Sequence, residues 1–244
     1  MKKPRAAEQS ADLFGKEGDS MERIPETALM NSPEQAQAYA DADFSEPHEA
    51  FIEYFRSRFP DFSTGSVLDL GCGTADVIIR FAKKYPRAII TGVDGAQAML
   101  DIAYRDVELK GCVDQIQLQK RLLPDPELSG RKFDAVISNS LLHHLPDPTV
   151  LWITLKKCAK DGAPVLVMDL MRPESKQSAR DYMLKYAADE SPLLQSDFYN
   201  SLLASYTVGE IGHQLRSMHL DFLNIETVSD RHVLVWGRMD VSGE

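Results

Sequence analysis

The sequence predicts an α/β fold: a doubly wound, mostly parallel seven-stranded sheet with helices on both faces and a terminal antiparallel strand pair. Three observations predict it. From Ser66 onward, short apolar runs alternate with longer runs of helical period. Strands alternating with helices need right-handed crossovers, which make the sheet parallel and cover both its faces. The first strand, VLDL, runs straight into Gly71, Cys72 and Gly73 and then into a helix, placing a tight turn and free N–H groups where a ligand can approach. The closing runs FLNIETV and HVLVWGRM read as two adjacent strands with no helix between them.

Residues 1–20 are polar and without periodicity, and are expected to form a mobile tail. Residues 21–62 carry two helices. The first opens at Ser32, with Pro33 at its first position and Gln35 completing a capping box, and the second spans Glu46 to Arg58 with an apolar face that includes Phe51, Ile52 and Phe55. Residues 63–244 form the α/β domain. Its strands are SVLDL, AIITGVD, QIQLQ, FDAVISN and PVLVMDL, separated by helical runs such as AQAMLDIAYRDVELKG and TVLWITLKKCAK. A helical, aromatic-rich segment at about 173–206 follows, and TVGEIGHQLRSM opens with a Thr207/Glu210 capping box.

At 244 residues, 43% hydrophobic and 26% charged, the composition is that of an ordinary globular protein. The first residues contain no apolar run of signal-peptide type and no later run is long enough to span a bilayer, so a cytoplasmic protein without membrane insertion is expected. Three widely spaced cysteines, Cys72, Cys112 and Cys158, indicate neither a disulfide framework nor a zinc site. A net charge of -10 disfavours nucleic acid as a partner and leaves small molecules in the lead, for a monomer or homodimer.

The stretch VLDLGCGTAD has an acid at each end, and a dinucleotide loop would have glycine where Asp76 stands. That acid would lie near a pyrophosphate; it suits instead the positive end of a helix dipole. Asp69 adds a second negative charge before the glycines, or simply braces the turn. Asp94 ends the next strand, where an acid can accept both hydroxyls of a ribose. A ligand with a ribose at one end and positive charge at the other satisfies all three acids, and S-adenosylmethionine is such a ligand.

With VLDLGCGTAD, GVDGAQAML and FDAVISNSLLHHLPDP in this order, the sequence resembles the class I S-adenosylmethionine-dependent methyltransferases, which have a Rossmann-like fold. The resemblance covers most of Val67 to Asp169. It implies a methyltransferase domain at 63–244, covered by the N-terminal helices and by a lid at about 173–206. It also implies that Asp69, Gly71 and Gly73 lie around the methionine part of the cofactor, that Asp94 and Gly95 meet the ribose, that Ala96 and Met99 lie near adenine or ribose, and that Asn139 lines the site. An acid that many relatives carry after the third strand is replaced by LQKRLLPD, so adenine recognition falls to backbone groups around Arg121 and Leu122.

Methyl transfer is an in-line displacement, so alignment and water exclusion dominate, and a base is needed only where the acceptor loses a proton. Candidates for that base are His143, His144 and Asp169, all at the rim of the predicted sheet. LHHL recurs in the resembling family across unrelated substrates, so a structural or cofactor-side role for the histidines stands beside proton transfer. Arg172 is a candidate anion holder or a loop-anchoring ion pair. Tyr182, Tyr186 and Tyr199, with Tyr39 and Phe44 on the other side, are candidate substrate contacts, although aromatics at helical spacing also serve packing. No metal-ligand spacing is visible. Alternative functions are a binding or regulatory protein that keeps S-adenosylmethionine without turnover, or a nicotinamide-dependent reductase.

Overall fold

The computed structural model describes residues 21–26 and 30–241, so the expected tail at 1–20 lies outside the described residues. The strands are β1 (Thr64–Leu70), β2 (Arg87–Asp94), β3 (Ile116–Lys120), β4 (Ala135–Asn139), β5 (Pro164–Leu170), β6 (Asn224–Thr227) and β7 (His232–Arg238). The helices are α1 (Pro33–Asp41), α2 (Ser45–Arg58), α3 (Asp76–Lys84), α4 (Gln97–Leu109), α5 (Thr149–Cys158), α6 (Lys176–Tyr186), α7 (Pro192–Ala204) and α8 (Val208–Ser217).

The seven strands make one sheet in the order β3-β2-β1-β4-β5-β7-β6. The first five are parallel, and β7 runs antiparallel to both β5 and β6. The last strand therefore enters between β5 and β6. Burial explains the choice: Val233, Leu234 and Val235 of β7 are almost fully buried, whereas β6 is short and mostly exposed, as an edge strand should be.

Alternate residues of the strands supply two cores. Val67, Ile90, Ile137 and Leu166 pack with α2, α3 and α4 through Phe51, Phe55 and Ile78. Leu68, Val136, Val165 and Val167 pack on the other face, where Trp152 of α5 and Ile211 of α8 lie. The period of two along each strand thus becomes the two layers of helices. Trp152 is fully buried and its Nε1 donates to Gln214 Oε1 at 2.9 Å, leaving no buried donor unmatched there.

The Thr207/Glu210 capping box forms with both of its bonds. The one expected at Ser32 is only half made. Ser32 Oγ accepts from the Gln35 N–H at 3.1 Å, but the Gln35 side chain turns to α7, where its amide donates to the Asp197 carboxylate instead of accepting from the Ser32 N–H. That bond ties α1 to α7. Among the described residues no helix is long and apolar enough to cross a membrane.

The chain steps outward from β1 through β2 to β3 and then returns to β4 on the other side of β1. This reversal leaves a crevice at the C-terminal ends of β1 and β4, the place where open α/β sheets take their ligands.

Candidate active site

A cavity of about 580 Å³ opens at this crevice, lined by the strand-end residues Asp69, Asp94, Asn139 and Met168. Its floor is the loop after β1. The N–H groups of Gly71 and Cys72 both donate to Val93 O, at 2.9 and 3.0 Å, which pins the loop to the end of β2. Two glycines serve different ends. Gly71 has φ +77°, and a Cβ there would lie 2.9 Å from Leu141 Cδ1, so backbone and packing both demand glycine. Gly73 has φ +52° with nothing within 4 Å of a Cβ, so its bare side is open. Ala75 follows at φ +68° as the N-cap of α3 and offers no side-chain cap, so no side chain of the cap competes for the N–H groups of the first turn.

Three acids around this loop are in three electrostatic states. Asp94 Oδ2 accepts from Gly73 N and Oδ1 from Ala96 N, each at 2.8 Å; burial raises its pKa and these bonds offset part of the rise. Asp76 is half-buried, and although burial pushes the other way, hydrogen bonds from His48 and Arg80 hold its pKa down at about 2. His48 Nδ1 donates to Asp76 Oδ2 at 2.7 Å. Asp69 is only 2% exposed, its Oδ1 has no hydrogen-bond partner, and burial together with the nearby Asp94 raises its pKa to about 8. A buried carboxylate oxygen without a donor is costly unless a cation or donor arrives.

The remaining residues expected at the cofactor, Gly95, Ala96, Met99, Arg121, Leu122 and Asn139, also line the cavity. Arg121 spends its guanidinium on Asp125 and Glu127, and its N–H donates to Asp94 O at 2.9 Å, so it presents backbone rather than charge. Asn139 Oδ1 is buried without a partner, a second group waiting for a donor.

The expected substrate contacts divide. Tyr39 and Phe44 line the cavity, but Tyr39 packs with Ala96 and Met99, and Phe44 stacks on Tyr39 and leads to His48 at ring distances of 4.6 and 5.6 Å. They stand over Ala96 and Met99, because α1 crosses α4. Tyr186 lines the far end of the cavity, where the Arg231 guanidinium lies 3.4 Å from its ring centroid. Tyr182 and Tyr199 do not line the cavity; they pack with Leu170 and Leu202 in a small core behind its wall, since the faces of α6 and α7 that carry them point at each other. Arg172 is buried away from the cavity, bonded to Ser205 O and to Glu210 Oε1 at 2.6 Å; it anchors the start of α8.

His143 and His144 line the cavity in a short 3₁₀ turn after β4. Asp169 does not line it. Its carboxylate is saturated by the N–H groups of Leu142 and Leu170 and by His143 Nδ1 at 2.6 Å, so it holds His143 and has no reach to a substrate. Burial lowers the His143 pKa, but the charge and hydrogen bond of Asp169 outweigh this and the net shift is upward. His144 Nδ1 donates to Glu26 Oε2 at 2.6 Å, and Ser201 donates to the other oxygen of Glu26.

Sequence reading missed Glu26, His48, Asp197, Ser201, Arg231 and His232 here. His48 had a signal, since it follows Phe44 by one helical turn and precedes Phe51 and Ile52 on the apolar face of α2. The others come from a strand-free N-terminal segment, from α7 and from the β6–β7 turn and the start of β7, and no local pattern joins them.

Residues 68–165 match the family model described as a methyltransferase domain. That stretch of the chain is a methyltransferase domain. Among curated proteins, this methyltransferase domain is similar to the ubiquinone biosynthesis O-methyltransferase of Histophilus somni, 28% identical over 136 residues that make up 52% of this chain and 56% of that protein. The trans-aconitate 2-methyltransferase of Deinococcus radiodurans is 28% identical over 159 residues, 65% of this chain and 55% of that one. The chain thus spans little more than half the length of these relatives. In fold, the domain resembles the plantazolicin methyltransferase BpumL, a structure solved with SAH, at a TM-score of 0.65 and 15% identity over 85% of this chain and 91% of that one.

Proposed function

We propose that the protein transfers a methyl group from S-adenosylmethionine to a small-molecule acceptor. The observation that carries this reading is Asp69: a buried, unpartnered carboxylate oxygen beside a second acid, on the floor of a cavity large enough for a small ligand. Such a site favours the cationic end of a ligand. Asp76, ionised at the N-terminus of α3, opposes a pyrophosphate there and speaks against a nicotinamide cofactor. The names of the relatives, a ubiquinone biosynthesis O-methyltransferase and a trans-aconitate 2-methyltransferase, support the same reading.

The cofactor supplies an activated methyl group on a sulfonium. Asp69 and the loop of Gly71 and Gly73 would hold its amino-acid end, the remaining lone pairs of Asp94 its ribose, and Met99, Leu122 and the backbone at Arg121 its adenine. Asn139 offers an acceptor between them. Tyr39 and Phe44 close this end from above and exclude water. His143 and His144 are the nitrogen groups we place against the acceptor, with Asp169 as a positioning residue behind His143. Tyr186, Phe198 and Arg231 would shape the rest of the acceptor space.

Isothermal titration of the full chain with S-adenosylmethionine and S-adenosylhomocysteine tests the reading, with micromolar binding of both expected. Absence of binding overturns it. Binding without methylation of any candidate carboxylate, phenol or amine acceptor, followed by mass spectrometry, favours the regulatory protein instead.

A further inference from the structure

Two imidazoles and one carboxylate meet at the acceptor end of the cavity. One potential ligand atom from each of Glu26, His143 and His144 lies within 4.8 Å of the others, although the three residues come from two distant segments of the chain. Three donor atoms bound to one ion at about 2.1 Å lie about 3.4 Å apart in tetrahedral geometry, so closing the set takes a shift of up to about an ångström. The Glu26–His144 hydrogen bond, at 2.6 Å, is the one contact that opens as an ion replaces its proton.

The surroundings match what metal-binding side chains need. Asp169 holds His143 through Nδ1 and leaves Nε2 as its free nitrogen, the carboxylate–histidine arrangement that orients a ligand and raises its basicity. Ser201 fixes the second oxygen of Glu26 at 2.7 Å. Arg23, three residues before Glu26, donates to His143 O and Leu145 O at 2.9 and 3.1 Å, so the N-terminal segment is tied to the histidine turn itself. Asp94 and Asp197 both lie within electrostatic reach of His144, against the opposing charge of Arg23 beside His143. Both histidines line the cavity, so an ion held by them has open positions on the ligand side.

We propose that Glu26, His143 and His144 bind a divalent first-row transition metal ion, whose open positions hold an oxygen atom of the methyl acceptor. The donor set of two histidines and one carboxylate suits zinc or ferrous iron rather than magnesium or calcium, which prefer all-oxygen sites. The part concerning the acceptor rests on the methyl-transfer reading; the metal site does not. It narrows the acceptor to molecules with a hydroxyl, enolate or carboxylate oxygen.

The test is a titration of the full chain, stripped with a chelator, with Co²⁺ followed by visible absorption, and with Zn²⁺ in competition. One equivalent of Co²⁺ is expected, with bands of a low-symmetry nitrogen–oxygen site. Glu26→Gln and His144→Ala should each weaken it by about tenfold or more, while S-adenosylhomocysteine binding reports that the fold is kept. Failure to bind Co²⁺ at one equivalent, or equal binding by both folded variants, overturns the proposal. Co²⁺ binding without any binding of S-adenosylhomocysteine would leave the metal site standing and remove the methyl-transfer reading.

Discussion

β1 and β5 end alike, in Asp69-Leu70 and Asp169-Leu170, and both aspartates are 2% exposed, yet they do opposite things. Asp169 has its carboxylate saturated by two backbone N–H groups and a histidine. Asp69 has an oxygen with no partner and a pKa near 8. The difference teaches that the second half of the sheet uses its acid to build the wall of the cavity, whereas the first half leaves its acid unsatisfied at the cavity floor. One contributes stability; the other costs stability until something cationic arrives.

The largest effect should follow from Asp169→Ala, which leaves His143 buried without its acceptor and strips two backbone N–H groups of theirs. A loss of about 3–5 kcal/mol in denaturant unfolding is expected. A loss below about 1 kcal/mol would break the contrast between the two acids.

Asp69→Asn should act in the other direction on stability. We expect the free protein to gain about 1 kcal/mol in thermal or denaturant unfolding, while affinity for S-adenosylmethionine falls by about a hundredfold. The pH dependence has a definite sign. The folded-state pKa of Asp69, about 8, lies above the ordinary aspartate value of 3.8, so the folded protein binds the extra proton and its stability declines as pH rises from about 4 to 8. Binding of a cation releases that proton. Titrations at pH 7 in two buffers of different ionisation enthalpy should show proton release in the wild type and none in Asp69→Asn.

His48→Ala tests whether the first-half acid Asp76 is held as firmly as Asp169. Asp76 is depressed to about 2, so its stabilising contribution is present above pH 4 and is lost as pH falls through 2. Because Asp76 is half-exposed, the expected loss at neutral pH is only about 1 kcal/mol, and acid unfolding should begin at higher pH in the variant. Smallest of all is Ala75→Gly. Relief of a left-handed backbone, worth about 1 kcal/mol, is offset by the loss of a buried methyl and a freer unfolded chain, so the net change should stay within about 1 kcal/mol.

The end of the cavity around the glycine loop was legible because its parts are local. Asp69, Gly71 and Gly73 lie in one strand–turn–helix, and Asp94 ends the adjacent strand, so periodicity and turn chemistry place them without long-range information. That the first five strands run parallel follows from the helical crossovers between them, but their order in the sheet does not. The insertion of β7 between β5 and β6 did not follow, since it depends on which of two strands has more apolar surface to bury.

The acceptor end was legible only in His143, His144 and Tyr186. Arg172, Tyr182 and Tyr199 have the right composition for a substrate pocket, but their orientation is set by how α6, α7 and α8 pack, and that turned them into anchors and core. Glu26, Asp197, Ser201 and Arg231 entered instead. By itself, then, the sequence determined the α/β architecture and the acids that gather at one cavity, because hydrophobic period and glycine torsions act over a few residues. Only the tertiary structure decided which carboxylate is paired and which groups meet the histidines, because side chains far apart in the chain are brought together by packing that no local pattern records.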